Sequence, residues 1–288
     1  IAEHRPRAVC FVDYPGLNLR LAAALRERGI SVKGGGDVKL LFYISPQIWA
    51  WKSKRRFAMA RDLDALAVIF PFEVECYKDT DLPVEFVGHP FLAPDYQSPV
   101  VHDPAAPILL LPGSRKQAVA RILPDLLNGL AAYDPQAPAT ILYPSEAVLD
   151  VIKAARPPAP VRCVPTGGEP VRASAVLTSS GTMSLHCALA GIPGAIAYRT
   201  NPLTYLLARW WVKLDYIGIA NLLLKEPMYP EFIQGAARPE ALAAELRACL
   251  RDPERQARTA AQRQRLAALL NQPALGTVAD WLATHLMI

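Results

Sequence analysis

Apolar positions along the chain follow two alternating rhythms. Short runs of branched and aliphatic residues are separated by longer stretches whose apolar residues recur every three or four positions, the pattern of parallel βαβ units. Ala8–Tyr14, Leu40–Ser45, Ala65–Phe70 and Val84–Gly88 read as strands; Leu17–Arg28, closed by Gly29, and Lys52–Leu63 read as helices. Five prolines from Pro90 to Pro107 mark an interdomain linker. Beyond it, strands are expected at Ile108–Leu111, Thr140–Tyr143, Val161–Val164, Ala175–Thr178 and Gly194–Tyr198. Helices are expected at Val119–Ala132, Glu146–Ala155, Thr182–Ala190 and Leu203–Val212, with a helical tail over Pro239–Leu250, Pro253–Leu270 and Thr277–Leu286. The order predicts an α/β fold of two doubly wound, Rossmann-like domains with a cleft between them, 1–98 and 99–270, the second more complete than the first. Ligands of such sheets lie beyond the carboxyl ends of the strands.

Composition narrows the class. The chain has 288 residues, 52% of them hydrophobic, 27 prolines and a net charge of +5. That apolar fraction excludes disorder, and the proline content excludes a coiled coil. No apolar run reaches the ~18 residues of a membrane span; Ala65–Phe72 is too short and Leu203–Val212 carries Arg209. Arg247, Arg251, Arg255, Arg258, Arg263 and Arg265 read as a solvated helical face. The five cysteines, never in CxxC, read as mostly buried thiols in a reducing compartment rather than disulfides or a zinc site. Asp62-x-Asp64 and Asp79-x-Asp81 precede their strands and read as surface turns, and no histidine has metal-ligand spacing. Gly34-Gly35-Gly36 reads as a flexible loop without a following helix.

The chemistry-bearing residues cluster at strand ends. Asp13, in Val12-Asp13-Tyr14-Pro15-Gly16-Leu17-Asn18, is placed either to accept a substrate proton or simply to start the next helix. Leu111-Pro112-Gly113-Ser114-Arg115 couples a close backbone approach to a helix start and a guanidinium, as anion binding requires; Ser114 with Gln117 also has capping-box spacing. Ser179-Ser180-Gly181-Thr182 repeats the arrangement, with capping by Ser180 or Thr182 as the alternative. Two such loops in one domain suit a nucleoside diphosphate. Arg199, Asn221, Glu231 and Gln234 follow in loops, either orienting a ligand or satisfying backbone. Trp49, Trp51, Lys52, Lys54, Arg55 and Arg56 combine aromatics with basic charge, which suits either an anionic lipid surface or core aromatics beside a solvated helix start. The basic charge is otherwise dispersed, which argues against nucleic acid.

In order along the chain, Val12-Asp13-Tyr14-Pro15, Ser45-Pro46-Gln47-Ile48-Trp49-Ala50-Trp51, Phe70-Pro71-Phe72-Glu73, Val87-Gly88-His89-Pro90, Leu111–Arg115, Ser180-Gly181-Thr182, Tyr198-Arg199 and Asn221-Leu222 closely resemble the lipid-A-disaccharide synthases, from about Ala8 to the C-terminus. The resemblance implies a GT-B-type inverting glycosyltransferase without metal or other cofactor. Its substrates would be UDP-2,3-diacylglucosamine and 2,3-diacylglucosamine 1-phosphate, and its products the β-1,6 disaccharide 1-phosphate and UDP. It implies Asp13 as base, Arg115 on the diphosphate, and Ser114, Ser180, Gly181 and Thr182 on phosphate or ribose. Arg199, Asn221, Glu231 and Gln234 are carried over to the nucleotide-sugar site. It further implies a peripheral place on the inner face of the cytoplasmic membrane. A last helix, 271–288, would return to the first domain and exchange between protomers of a homodimer.

Three departures from the family pattern stand out. No G-E-x-S-G-D type opening precedes Ala8, and the chain begins with Ile1, so the first domain reads as incomplete and the chain as a fragment or a processed chain. His186 stands where many members carry an acid, and Val32–Lys39 reads as an insertion. A UDP-sugar 2-epimerase or hydrolase on the same fold, or a non-catalytic nucleotide-sugar binder, are the competing readings.

Overall fold

The computed structural model describes residues 1–158, 160–201, 215–271 and 276–286; the expected helix Leu203–Val212 lies outside them. The chain divides into two compact units, Ile1–Pro94 with Ala268–Ile288, and Asp95–Ala267.

In the first unit, β1 (Ala8–Val12), β2 (Lys39–Tyr43), β3 (Ala65–Val68) and β4 (Val84–Phe86) form a parallel sheet in that order. Successive side chains point to opposite faces, so these nearly continuous apolar strands feed two cores. Leu40, Phe42, Leu66 and Val68 pack on Ala22 and Leu25 of α1 (Pro15–Glu27), Met59 of α2 (Arg55–Asp62) and Tyr77 of the 3-10 turn Pro71–Tyr77. Leu41, Ala65 and Ala67 face the other way, under Trp281 of the last helix, Val278–Leu286.

Two expectations are corrected here. Asp62 is buried rather than a surface turn: Arg26 Nε and Arg61 Nε donate to its Oδ1 at 2.7 and 2.8 Å. Burial pushes that carboxyl up, but the two guanidiniums hold it below its ordinary value. Its companion Asp64 accepts the Leu40 N–H at 2.7 Å and fixes the start of β2. The triple glycine is a tight turn. A Cβ at Gly34 or Gly36 would lie 2.2 Å from the carbonyl oxygen of Arg26 or Ile30.

In the second unit, a short ribbon pairs β5 (Val100–His102) with β9 (Val171–Ala173), Val100 opposite Val171. The proline-rich linker therefore contains a strand. The main parallel sheet has β6 (Ile108–Leu111), β7 (Ala139–Tyr143), β8 (Val161–Pro165), β10 (Val176–Thr178), β11 (Gly194–Tyr198) and β12 (Glu231–Ile233), in spatial order 12-11-10-6-7-8. Its helices are α3 (Lys116–Tyr133), α4 (Glu146–Ala154), α5 (Thr182–Ala190), α6 (Ile219–Leu224), α7 (Pro239–Arg251) and α8 (Pro253–Leu270). Gly129 lets α3 approach α7 closely, since a Cβ there would meet Leu242 Cβ at 2.7 Å. Arg255 is not part of a solvated face. It is 2% exposed, donates to Glu245 Oε1 at 2.8 Å, and bonds the carbonyls of Gly194 and Met228 at 3.0 Å. Of the cysteines, Cys187 and Cys249 are buried, Cys76 and Cys163 partly so, and Cys10 is exposed; all are free thiols.

Candidate functional site

The second sheet changes direction between β6 and β10, which lie side by side while the chain winds away from them on opposite sides. Loops leaving such a pair splay apart and open a crevice. A cavity of about 260 Å³ opens here, lined by Gly113, Ser114, Ser179, Ser180, Gly181 and Thr182 among others. Gly113 at φ 114° and Gly181 at φ 156° supply backbone that a side chain would strain.

Both helices that start at this crevice lack a side-chain cap. Arg115 occupies the N-cap position of α3 and Gly181 that of α5, and neither helix has a side-chain hydrogen bond there. The alternative reading of Ser114, and of Ser180 or Thr182, as caps is not realised. Two sets of first-turn N–H groups, each at the positive end of a helix dipole, thus flank one polar-rimmed cavity. Ser114 and Arg115 are exposed beside it.

Ser180 is used differently. Its Oγ donates to the Ile217 carbonyl at 2.8 Å, while Glu231 accepts the N–H of Ile217 at 3.0 Å and of Gly218 at 2.8 Å. Asn221, fully buried at the end of the same network, donates to Glu231 Oε1 at 2.8 Å and brackets Tyr229 through its N–H and carbonyl at 2.9 and 2.6 Å. These three residues shape the loop beside Gly181, and Asn221 has its amide committed to protein groups. Gln234 likewise bonds both backbone groups of Thr200, at 3.2 and 3.1 Å. Arg199 lies apart from the cavity lining and forks onto Asp125 of α3 at 2.6 and 3.0 Å.

Asp13 directly follows β1 and does not cap α1; Tyr14 holds that position. Consecutive left-handed residues, Asp13 at φ 45° and Tyr14 at φ 44°, turn the chain sharply. Such conformations are costly outside glycine and concentrate at functional sites. The Asn18 amide clamps the turn, donating to the Asp13 carbonyl at 2.7 Å. The Asp13 side chain itself is exposed, and among the described residues its carboxylate makes no hydrogen bond or ion pair.

The aromatic–basic segment separates into two parts. Trp49 turns inward, edge-on to Phe72 at 5.5 Å, and Arg56 forks onto Asp79. Trp51 stays outside at 55% exposure, with Lys52 over its ring at 4.7 Å and Arg55 at 5.7 Å, and Lys54 is exposed nearby. Phe57, not singled out from the sequence, adds a second outward ring at 49% exposure.

Two titratable groups named in the sequence motifs, Glu73 and His186, are buried, which the sequence did not indicate. Glu73 is 1% exposed and accepts the Phe70 N–H at 3.1 Å; burial pushes its carboxyl up to about 7 against the backbone N–H groups that favour its charge. It reaches back to the backbone of the residue three before it, as an acid in a helix's first turn does, although Phe70 has no side-chain acceptor to reciprocate. His186, buried on α5, stacks on Tyr96 with the rings 10° apart, and burial lowers it to about 4. The imidazole is therefore neutral at physiological pH. Among the described residues no cluster has metal-ligating geometry, and no helix is long and apolar enough to cross a membrane.

The lipid-A-disaccharide synthetase family model matches residues 1–279. A lipid-A-disaccharide synthase of Nitrosococcus oceani is 36% identical over 274 residues, covering 88% of this chain and 68% of that protein. One from Anaeromyxobacter dehalogenans is 37% identical over 286 residues, covering 93% and 72%. The chain belongs to the lipid-A-disaccharide synthase family. It is a glycosyltransferase of lipid A biosynthesis. Solved glycosyltransferases share its fold. The calicheamicin glycosyltransferase CalG4 aligns with a TM-score of 0.53 at 14% identity, over 99% of this chain and 74% of that one. The spinosyn forosaminyltransferase aligns with a TM-score of 0.56 at 13% identity, over 99% and 77%. The fold is of the GT-B type, with Rossmann-like units. The family's activity implies a nucleotide-sugar donor and an acylated glucosamine phosphate acceptor.

Proposed function

We propose that the chain transfers the sugar of UDP-2,3-diacylglucosamine to the 6-hydroxyl of 2,3-diacylglucosamine 1-phosphate, inverting the anomeric carbon. The bond from that carbon to the diphosphate oxygen breaks, and its electron pair leaves with UDP. The acceptor oxygen forms the new bond from the opposite side, and its proton passes to the Asp13 carboxylate.

The observation that carries this reading is the pair of uncapped helix starts at one crevice. Charge grows on the diphosphate as the bond breaks, and fixed N–H dipoles stabilise it without reorganising. Arg115 is the mobile cation added to that field. Ser114, Gly181 and Thr182 contact phosphate or ribose; Ser180, Asn221 and Glu231 build the loop that closes on the nucleotide. The clamped backbone of Asp13, with a carboxylate that is exposed and without a partner among the described residues, supports its role as base.

Both substrates carry acyl chains, so the enzyme works at the inner face of the cytoplasmic membrane. Trp51 and Phe57 supply apolar rings, and Lys52, Lys54 and Arg55 supply charge for anionic headgroups. Exchange of the last helix between two copies is the dimer this reading favours. Calorimetric titration with UDP, followed by turnover of the two acylated sugars, tests the core of the proposal. Failure of the protein to bind UDP removes the donor-site assignment.

A further inference from the structure

The first unit contains a second cavity, of about 540 Å³, that the donor-site reading does not use. Its walls include Tyr43 at the end of β2, Val87 and His89 beyond β4, Leu92, Leu270 and Val278. The polar groups among its walls are largely occupied. Asp280 Oδ2 accepts the N–H and hydroxyl of Thr277, both at 2.8 Å, and His89 Nδ1 accepts the Phe91 N–H at 3.2 Å. What remains facing the space is mainly hydrocarbon. A long-chain ligand gains from displacing water there and needs no hydrogen bonds that the walls lack.

The cavity also has a place relative to the chemistry. Tyr43 is paired with Val12 across the sheet, and its carbonyl accepts the Asp13 N–H at 2.9 Å. A group held against Tyr43 is therefore one strand spacing from the turn that carries Asp13. Beneath the walls, Val87, Val278 and Tyr43 join the apolar layer that buries Trp281.

We infer that this cavity seats one acyl chain of the acceptor and so brings the acceptor sugar to Asp13. The inference rests on the proposed roles of Asp13 and the acylated acceptor. It adds that chain-length preference is set by the Tyr43–Val87–Val278 walls.

The probe is 2,3-diacylglucosamine 1-phosphate with brominated acyl chains, added to the intact chain while tryptophan emission is recorded. Trp281→Phe identifies the share of the signal from that ring. Quenching of Trp281 is expected, together with a roughly tenfold weaker acceptor affinity in Ala93→Phe, because Ala93 also lines the cavity and the larger ring narrows it. UDP affinity should be unchanged in that variant, and its discrimination between long and short acyl chains lost. If the acceptor binds without quenching Trp281, and Ala93→Phe keeps its chain-length preference, the cavity assignment fails while the roles of acceptor and base stand. If the acceptor neither binds nor turns over, both fall.

Discussion

Ser180 and Glu231 hold opposite ends of one residue: the Ser180 hydroxyl bonds the Ile217 carbonyl at 2.8 Å and the Glu231 carboxylate takes the Ile217 N–H at 3.0 Å. Through Asn221 the same carboxylate reaches Tyr229. Replacing Glu231 by Ala strands three donors, the N–H groups of Ile217 and Gly218 and the Asn221 amide. The expected cost is about 2–4 kcal/mol in urea unfolding of the second unit, with weaker UDP binding. Full stability in the variant would show that the network does not shape the loop.

The two arginines in the second unit's strand-end loops should behave differently. Arg115→Ala should weaken UDP binding by roughly 10–100-fold, the worth of a charge-assisted contact, with little change in melting temperature. Arg199→Ala removes a partly exposed pair with Asp125 and should cost about 1 kcal/mol or less of stability, with UDP affinity nearly intact. Calorimetry on both variants separates the roles; the reverse order of effects would exchange them.

Asp13→Asn isolates the base. Asparagine tolerates the left-handed backbone that Asp13 adopts, so thermal stability should be preserved. Turnover should fall by about 10²–10⁴-fold while UDP affinity remains. A rate near that of the parent would exclude Asp13 as proton acceptor.

Glu73 and His186 give opposite pH slopes. Glu73 keeps its proton to about 7 when folded but loses it near the ordinary carboxylate value when unfolded. Its contribution is therefore present at low pH and lost as pH rises from about 4.5 to 7, on the order of 3 kcal/mol in all. His186, held neutral down to about 4, contributes stability above the ordinary imidazole value that is lost as pH falls from about 6.5 to 4. They sit in different units. Glu73→Gln should flatten the pH dependence of the first unit's unfolding and leave the second unit's unchanged, as read by amide exchange in each. Parallel slopes in parent and variant would refute this.

The outward rings give a membrane test. Trp51→Ala with Phe57→Ala should lower binding to anionic phospholipid vesicles several-fold without altering UDP affinity. Trp49→Ala should instead destabilise the first unit, because that ring packs on Phe72. Equal vesicle binding by parent and double variant would place the lipid contact elsewhere.

Much of the architecture was legible in the chain. Ile108–Leu111, Thr182–Ala190, Gly194–Tyr198 and Pro253–Leu270 have the bounds expected from their apolar rhythm, because proline, glycine or hydroxyl residues punctuate their ends. Val100–His102, Val171–Ala173 and Glu231–Ile233 were missed; each short run mixes apolar with polar residues and is a strand only through a partner distant in sequence. The same limit governs buried charge. Nothing local to Asp62 or Arg255 announces that Arg26 or Glu245, on another helix, will neutralise it. At the site, the glycines and helix starts were visible. Which hydroxyls and amides would be spent on loop building was not, since that depends on where Ile217 comes to lie.

The first sheet winds in a single direction, so its right-handed connections place α1 and α2 on one side. The side carrying Leu41, Ala65 and Ala67 is closed by Trp281, which follows the whole second unit in the chain. During synthesis those strands must wait, greasy and uncovered, while the whole second unit emerges. The half made first is therefore the half finished last, and any interruption of translation before Val278 leaves an adhesive surface for chaperones to shield.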